Sequence, residues 1–171
     1  RWASGSRDRV PVPLLHCFGC VIGTLAGAGT GATIGLPAPT FSPLATMQAV
    51  QQEACTTLYG VPAMFIAELN HLEFPRFDLS SLRTGIMAGA PFPVEVMKRV
   101  QHDIHLSRVL IAYGQTETSP VNPQTTTDHP RAKQLDTVGR PAPPLDTQLL
   151  AQLRAAPPVA PPAPPRPPAH S

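Results

Sequence analysis

The residues with the clearest chemical potential lie in one short stretch, residues 113–118, with the sequence Tyr-Gly-Gln-Thr-Glu-Thr. It follows the apolar run 109–112, which predicts a buried strand. Glu117 offers a carboxylate oxygen of the kind that Mg²⁺ prefers, and Thr116 offers a hydroxyl that can hydrogen-bond a phosphate. Tyr113 offers a flat face on which a base could stack. This combination predicts a magnesium–nucleotide site, and the alternative is a strand that ends in a polar turn.

The elements that would position these residues alternate between strand-like and helix-like patterns. Strands are expected at residues 10–15, 32–36, 56–59, 82–88 and 109–112, and helices at residues 17–30, 44–54, from 62 onwards and from 94 onwards. In the third helix, Phe65, Leu69 and Leu72 are expected to form a buried stripe. The alternation predicts an α/β fold in layers, with a largely parallel sheet and flanking helices.

Three other short motifs accompany the first one. Pro-Leu-Leu-His ends at His16, Gly-Ala-Pro spans residues 89–91, and Val-Gly-Arg-Pro spans residues 138–141. With Tyr-Gly-x-Thr-Glu at residues 113–117, they resemble the motifs of the AMP-forming acyl-CoA synthetases, a family of adenylate-forming enzymes. Four motifs in the order and at the spacing of the family are far more specific than any one of them. The resemblance narrows the fold to part of the N-terminal domain of such an enzyme.

The resemblance implies a ligase that joins a fatty acid to CoA in two steps. ATP and the fatty acid first give an acyl adenylate and pyrophosphate, and the CoA thiol then displaces AMP. The motifs are most similar to those of members that act on medium-chain fatty acids in mitochondria, so the resemblance also implies that substrate class and that compartment. The implied cofactors and partners are ATP or AMP, Mg²⁺, CoA and the fatty acid.

The resemblance also implies roles for individual residues. The catalytic group would be Thr116 at the α-phosphate, Glu117 as the Mg²⁺ ligand, and His16 near the acyl channel. The residues that would border the adenine or the reacting carboxylate are Gly89, Ala90, Pro91, Tyr113, Gly114 and Gln115. Since ligands bind beyond the carboxyl ends of parallel strands, these motifs are expected to converge. A structural hydrogen bond is the alternative role of His16.

Composition divides the chain into three parts. Residues 1–9 are expected to form a poorly defined stub, residues 10–147 a partial AMP-binding domain, and residues 148–171 a tail rich in Pro and Ala. Proline fixes φ and lacks an amide donor, so the tail is predicted to be disordered or in polyproline II conformation. We expect a tail without function, and the alternative is that its PxxP sequences bind an SH3-type partner.

The charges of the chain are nearly balanced, with a net charge of +2, and give no indication of nucleic-acid binding.

Parts of the family pattern are missing from the sequence. The phosphate loop expected before His16, the ribose-binding Asp expected after residue 141, and the lysine of a C-terminal lid do not occur. We therefore expect a partial chain that does not catalyse the reaction alone. The alternative from another functional class is a non-catalytic interaction protein that uses the Pro-rich tail.

Two further patterns lie after His16. Glycines recur every fourth residue from Gly19 to Gly35, the spacing of close helix packing. A membrane span is one interpretation, but Gly, Ala and Thr contribute little insertion energy, so a buried helix packed on a sheet is expected. Cys17 and Cys20 form a CxxC pair that could serve redox or zinc chemistry with His16. No second CxxC supplies a fourth zinc ligand, and the neighbouring glycine spacing makes core packing the simpler interpretation. Cys55 is expected to be a small buried apolar residue.

Overall fold

A computed structural model of the protein describes residues 5–118, 121, 123–125, 137 and 139–141. Within these residues, one seven-stranded sheet has the order β2-β1-β3-β4-β5-β6-β7. Its strands are β1 (Arg7–Arg9), β2 (Thr33–Gly35), β3 (Thr57–Gly60), β4 (Thr84–Ala88), β5 (Arg108–Ala112), β6 (Pro123–Gln124) and β7 (Arg140–Pro141). Neighbours from β2 to β5 are parallel, and β6 and β7 join antiparallel. The predicted tail, residues 148–171, lies outside the described residues.

Helices connect the parallel strands. A π-helical segment, Phe18–Leu25, continues directly into α1 (Ala26–Thr30), and together they form the glycine-rich helix, residues 18–30. The helices α2 (Pro43–Gln52), α3 (Pro62–Leu69) and α4 (Val94–Asp103) follow, with short 3₁₀ turns at Phe74–Arg76 and Thr116–Thr118. Gly31 ends the glycine-rich helix with a φ of 71°, a left-handed conformation that favours glycine.

These helices form layers on the two faces of the sheet. On one face, a cluster of buried side chains joins α2, α3 and α4 to Leu58 and Met87. On the other, Phe18 and Ile22 of the glycine-rich helix pack with Tyr59 and Ile86. Successive strand residues point to opposite faces, so Leu58 and Tyr59 enter different layers. The α/β class with a largely parallel sheet and flanking helices is confirmed.

The first strand lies earlier than the sequence pattern predicts. It is formed by Arg7–Arg9, within the expected stub, and the prediction of a strand at residues 10–15 is wrong because these residues form the loop that leads to the glycine-rich helix. Pro11 and Pro13 interrupt that loop and have no amide hydrogen for a central strand ladder. Hydrophobic patterning missed β1 because its sequence, Arg-Asp-Arg, is entirely charged.

The charged side chains of β1 find polar partners on both faces of the sheet. Arg9 is 4% exposed, and its guanidinium lies 3.1 Å from a carboxylate oxygen of Glu53. It also donates hydrogen bonds to the Cys55 sulfur at 3.2 and 3.3 Å. On the opposite face, Asp8 accepts a hydrogen bond from the Tyr59 hydroxyl at 3.2 Å, and burial raises the pKa of Asp8. These partners allow a charged strand to occupy an interior position in the sheet.

The third helix is shorter than its hydrophobic spacing predicts. Phe65 and Leu69 are buried, as expected, but Leu72 is 97% exposed. The α-helix ends at Leu69, so Leu72 lies in the turn beyond it and no longer follows the helical stripe. Among the described residues, no helix combines the length and the apolar content that crossing a membrane requires.

Glu68 makes the stability of this fold depend on pH. Its side chain on α3 is 2% exposed, and burial raises its pKa from 4.5 to about 8. The folded chain therefore keeps a proton that the unfolded chain releases. The free energy of unfolding should fall as the pH rises between about 4.5 and about 8, and should level off above that range.

Glu68→Gln should flatten this dependence, since the amide keeps the shape and does not titrate. The variant should melt at a higher temperature than the wild type near pH 8, and the difference should shrink near pH 5. Thermal melts followed by circular dichroism measure this. Glu95→Gln, at an exposed position on α4, is the matched control. Parallel pH profiles for wild type and Glu68→Gln would contradict the assignment.

Candidate functional site

A cavity of about 250 Å³ opens where the central parallel strands end. Three of the sequence motifs contribute to its wall: His16 from the first, Gly89 from the second, and Tyr113 and Gly114 from the third. The other lining residues come from the loop after β1, the glycine-rich helix and the ends of β3 to β5: Val12, Pro13, Cys17, Phe18, Ile22, Val61, Ala88, Ala112 and Val121. The chain thus brings three predicted motifs to one cavity.

His16 is held by its own loop. Its Nδ1 accepts a hydrogen bond from the Phe18 amide at 3.1 Å, and the Cys17 sulfur lies 3.6 Å from the same nitrogen. A neutral ring with an accepting Nδ1 carries its hydrogen on Nε2. His16 could therefore donate from Nε2 to a carboxylate or carbonyl oxygen. The structural hydrogen bond and the predicted catalytic role are compatible, and the catalytic role stays a prediction.

Tyr113 and the residues after it form the rim of the cavity. The Tyr113 ring is half exposed, and its hydroxyl accepts a hydrogen bond from the Gln115 side chain at 3.4 Å. Thr116 donates a hydrogen bond to the Cys17 sulfur at 3.4 Å, which ties the rim to the start of the glycine-rich helix. Gln115, Thr116 and Glu117 are exposed and lie outside the cavity wall.

The glycine motif provides a turn at the same edge. Gly89 follows β4 with a φ of 96°, a conformation that other residues rarely adopt, and a side chain there would approach Val61 at 3.2 Å. Ala90 and Pro91 are exposed in the connection to α4 and do not line the cavity. In the fourth motif, Val138 lies outside the described residues.

Sequence reasoning missed the inner wall of the cavity. Val12, Phe18, Ile22 and Ala112 are 3%, 5%, 9% and 7% exposed, so the inner part is enclosed by hydrocarbon. No chemical motif marks such residues, although two of them flank His16 in the sequence. The Phe18 ring also packs on Tyr59, with the ring centres 6.2 Å apart.

Two of the three cysteines are arranged differently from the prediction. Cys55 is 1% exposed and lies in the core, as predicted. The prediction of core packing is wrong for Cys20, which is exposed. It is incomplete for Cys17, which lines the cavity. Within the described residues, no group of three His, Cys, Asp or Glu side chains is placed to hold a metal ion.

The glycine-rich helix lies unusually close to β2 and to the loop that follows β1. A Cβ atom at Gly19 would clash with the Pro13 carbonyl oxygen, and one at Gly23 would lie 2.8 Å from a Val10 methyl group. Gly27 similarly leaves room for Ile34, at 2.8 Å. The predicted close packing of this helix on the sheet is confirmed at these three glycines. This packing fixes the position of the helix that forms one wall of the cavity.

Gly19→Ala should therefore destabilise the fold by about 1–3 kcal/mol, since the clash is with backbone that cannot rotate away. Gly29 is the matched control, because it lies on the same helix and a Cβ there meets no atom within 4 Å. Gly29→Ala should stabilise by about 0.5–1 kcal/mol through helix propensity. Urea unfolding of both variants measures the contrast. Equal effects at the two positions would contradict the packing described.

The three cysteines should differ in their reaction with iodoacetamide. Cys20 should be alkylated first, Cys17 more slowly because it is half-buried in the cavity wall, and Cys55 only when the chain unfolds. Peptide mass spectrometry after timed labelling measures each rate. Adding urea should accelerate Cys55 most. Rapid labelling of Cys55 in the native chain would show that the layer around Arg9 is open.

Comparison with known proteins identifies the family. A profile of the family described as AMP-binding enzyme matches residues 2–160. The chain is 48% identical over 147 residues to the putative acyl-CoA synthetase YngI of Bacillus subtilis, covering 85% of this chain and 27% of that protein. It is 42% identical over 120 residues to the mitochondrial medium-chain acyl-CoA ligase ACSF2 of Danio rerio, covering 70% and 20%. The chain thus spans about a quarter of the length of such relatives.

Solved structures agree on the fold. The amide bond synthetase McbA of Marinactinospora thermotolerans is 30% identical with a TM-score of 0.67, over 83% of this chain and 28% of that one. The anthranilate CoA ligase AuaEII, in complex with anthranoyl-AMP, has a TM-score of 0.74 at 19% identity, over 82% and 27%. The profile match over most of the chain shows that it belongs to the family of AMP-binding enzymes.

Proposed function

We propose that this site is part of a fatty acyl-CoA ligase that uses ATP. The observation that carries the proposal is the cavity at the strand ends, whose inner wall is hydrocarbon and whose rim is formed by the motifs predicted to bind a nucleotide. An amphipathic ligand with an apolar tail and a carboxylate matches this division. The curated relatives are named as acyl-CoA synthetases and ligases, which supports the same reaction.

The acyl group would occupy the inner part of the cavity. Phe18, Ile22 and Val12 form a wall without charged side chains, so a hydrocarbon tail would leave water there at no electrostatic cost. The carboxylate would then remain near the mouth, where His16 can donate from Nε2. Gln115 is on the rim and could orient the same carboxylate. The chain length that this wall admits depends on its side chains rather than on polar recognition.

The nucleotide would lie on the rim. Tyr113 presents a half-exposed ring for stacking on adenine, beside the left-handed turn at Gly89. Glu117 is exposed and could hold Mg²⁺. One carboxylate is sufficient for this role, since protein-bound Mg²⁺ commonly keeps several waters and takes its remaining ligands from the phosphates. The residues present therefore fit both the nucleotide and the ion.

The chemistry would proceed in two displacements. A carboxylate oxygen of the fatty acid attacks the α-phosphorus of ATP, and pyrophosphate leaves. The CoA thiol then attacks the carbonyl carbon, the bond to the phosphate oxygen breaks, and AMP leaves. Thr116 would donate its hydroxyl hydrogen to an α-phosphate oxygen, and Glu117 would position the ion that neutralises phosphate charge. In such reactions the protein contributes mainly position and charge stabilisation.

The finer features of the proposal are a medium-chain fatty acid and a mitochondrial location. They are supported by relatives named as mitochondrial medium-chain acyl-CoA ligases, including the human protein at 34% identity over 145 residues. Bacterial and fungal acyl-CoA synthetases and ligases also match the chain. All of these relatives are named as acyl-CoA synthetases or ligases, and chain length and compartment are the more specific parts of the proposal.

A stable analogue of the intermediate, octanoyl sulfamoyl adenosine, tests the proposal without requiring turnover. It should bind the chain, and Tyr113→Ala should weaken binding by about 1–3 kcal/mol, the usual contribution of stacking on a base. Tyr113→Phe keeps the ring and should bind almost as the wild type does. Isothermal titration calorimetry measures all three, with far-UV circular dichroism as the folding control. Equal binding by Tyr113→Ala and Tyr113→Phe would refute the stacking role.

A further inference from the structure

We infer that Ile22 closes the inner end of the cavity and sets the length of the hydrocarbon tail that the site accepts. The inference rests on the proposed function and adds to it a specificity-determining residue. It is carried by the depth at which Ile22 lies, by the fixed position of its helix, and by the polar pair beyond it.

The glycines provide a scale for the depth of the cavity. Gly19 lies against Val12 and Pro13, and Gly23 lies against Val10. The helix therefore leads away from the mouth of the cavity, and the loop after β1 runs beside it in the opposite direction, toward the mouth. Val12 lines the cavity and Val10 does not, so the cavity ends between these levels. Ile22 is next to Gly23 and is the last residue of the helix to line the wall. It therefore lies at the inner end.

Phe18 lies one turn nearer the mouth. Its amide is bonded to the His16 ring, and the cavity is most exposed around His16, Gly89 and Tyr113. A ligand that enters at the mouth would thus pass Phe18 before it reaches Ile22. Phe18 shapes the side of the channel, and Ile22 limits its depth.

The helix itself cannot retreat or advance to accommodate a different tail. Contacts of Gly19 with backbone atoms and of Gly23 with a side chain leave no room for it to move toward the loop after β1, and Phe18 packs on Tyr59. The available depth is therefore decided by side chains. Removing three carbon atoms from Ile22 should extend the cavity directly.

Beyond Ile22 the surroundings become polar. One turn farther along the helix, a Cβ at Gly27 would lie 3.9 Å from a carboxylate oxygen of Asp8. That carboxylate accepts a hydrogen bond from the Tyr59 hydroxyl. A tail that passed Ile22 would approach this buried carboxyl, so Ile22 marks the boundary between hydrocarbon and polar interior.

Binding of straight-chain carboxylic acids of increasing length to the 171-residue chain tests the inference. In the wild type, affinity should rise by about fourfold per methylene, which corresponds to the free energy of burying one CH₂ group. It should stop rising at a limiting chain length. Ile22→Ala should extend the rising series by about two methylenes, because the truncated side chain leaves room at the inner end. Ile22→Phe should shorten it. Chemical-shift titration by NMR gives each dissociation constant.

Val21→Ala is the matched control, since Val21 is on the same helix turn, is partly exposed and does not line the cavity. Its length profile should equal that of the wild type. Far-UV circular dichroism verifies that each variant is folded. If the wild type binds acids but Ile22→Ala and Ile22→Phe keep its limiting length, the role of Ile22 is wrong and the proposed function stands. If the wild type binds no acid of any length, both fail.

Discussion

The close contact of the glycine-rich helix with β2 and with the loop after β1 determines the geometry of the site. Gly19, Gly23 and Gly27 have no side chain at the contact, so the helix lies against Pro13, Val10 and Ile34 with almost no space between them. Protein interiors are packed so densely that one additional methyl group at such a position must displace a neighbour. The helix therefore has one available position, and that position defines both the width of the cavity and the orientation of Phe18 and Ile22.

The geometry of the site also depends on the polar partners of the charged strand β1. Arg9 connects β1 to Glu53 and Cys55, which follow α2, and Asp8 connects β1 to the Tyr59 side chain on the opposite face. A buried charge is tolerated only when it has such partners, so loss of one partner would leave the other uncompensated. The loop that carries His16 follows directly from this strand. The position of His16 thus depends on interactions that are remote from the cavity.

The alternation of elements and the motifs made much of this structure predictable. β2 to β5 and the helices occur close to where apolar spacing indicated them, because their buried faces follow the periodicity that such patterns detect. The convergence of His16, Gly89 and Tyr113 followed from the rule that parallel strands end at one edge. β1 was not predictable from apolar spacing, because its sequence is charged. The inner wall was also missed, since Ile22 and Val12 carry no chemical signal and acquire their role only through packing.

The position of β1 in the sheet also has a consequence for the order in which the chain can fold. Its two neighbours, β2 and β3, follow it in the sequence, and the amide of Arg7 bonds Thr56, 49 positions away. Pairings between such distant segments form slowly, because a long loop must close before they gain anything. Until then β1 is not paired with these two neighbours, and a hydrophobic strand in this state would favour association with other chains. The sequence Arg-Asp-Arg reduces this tendency, because charged side chains favour contact with water over contact with another chain.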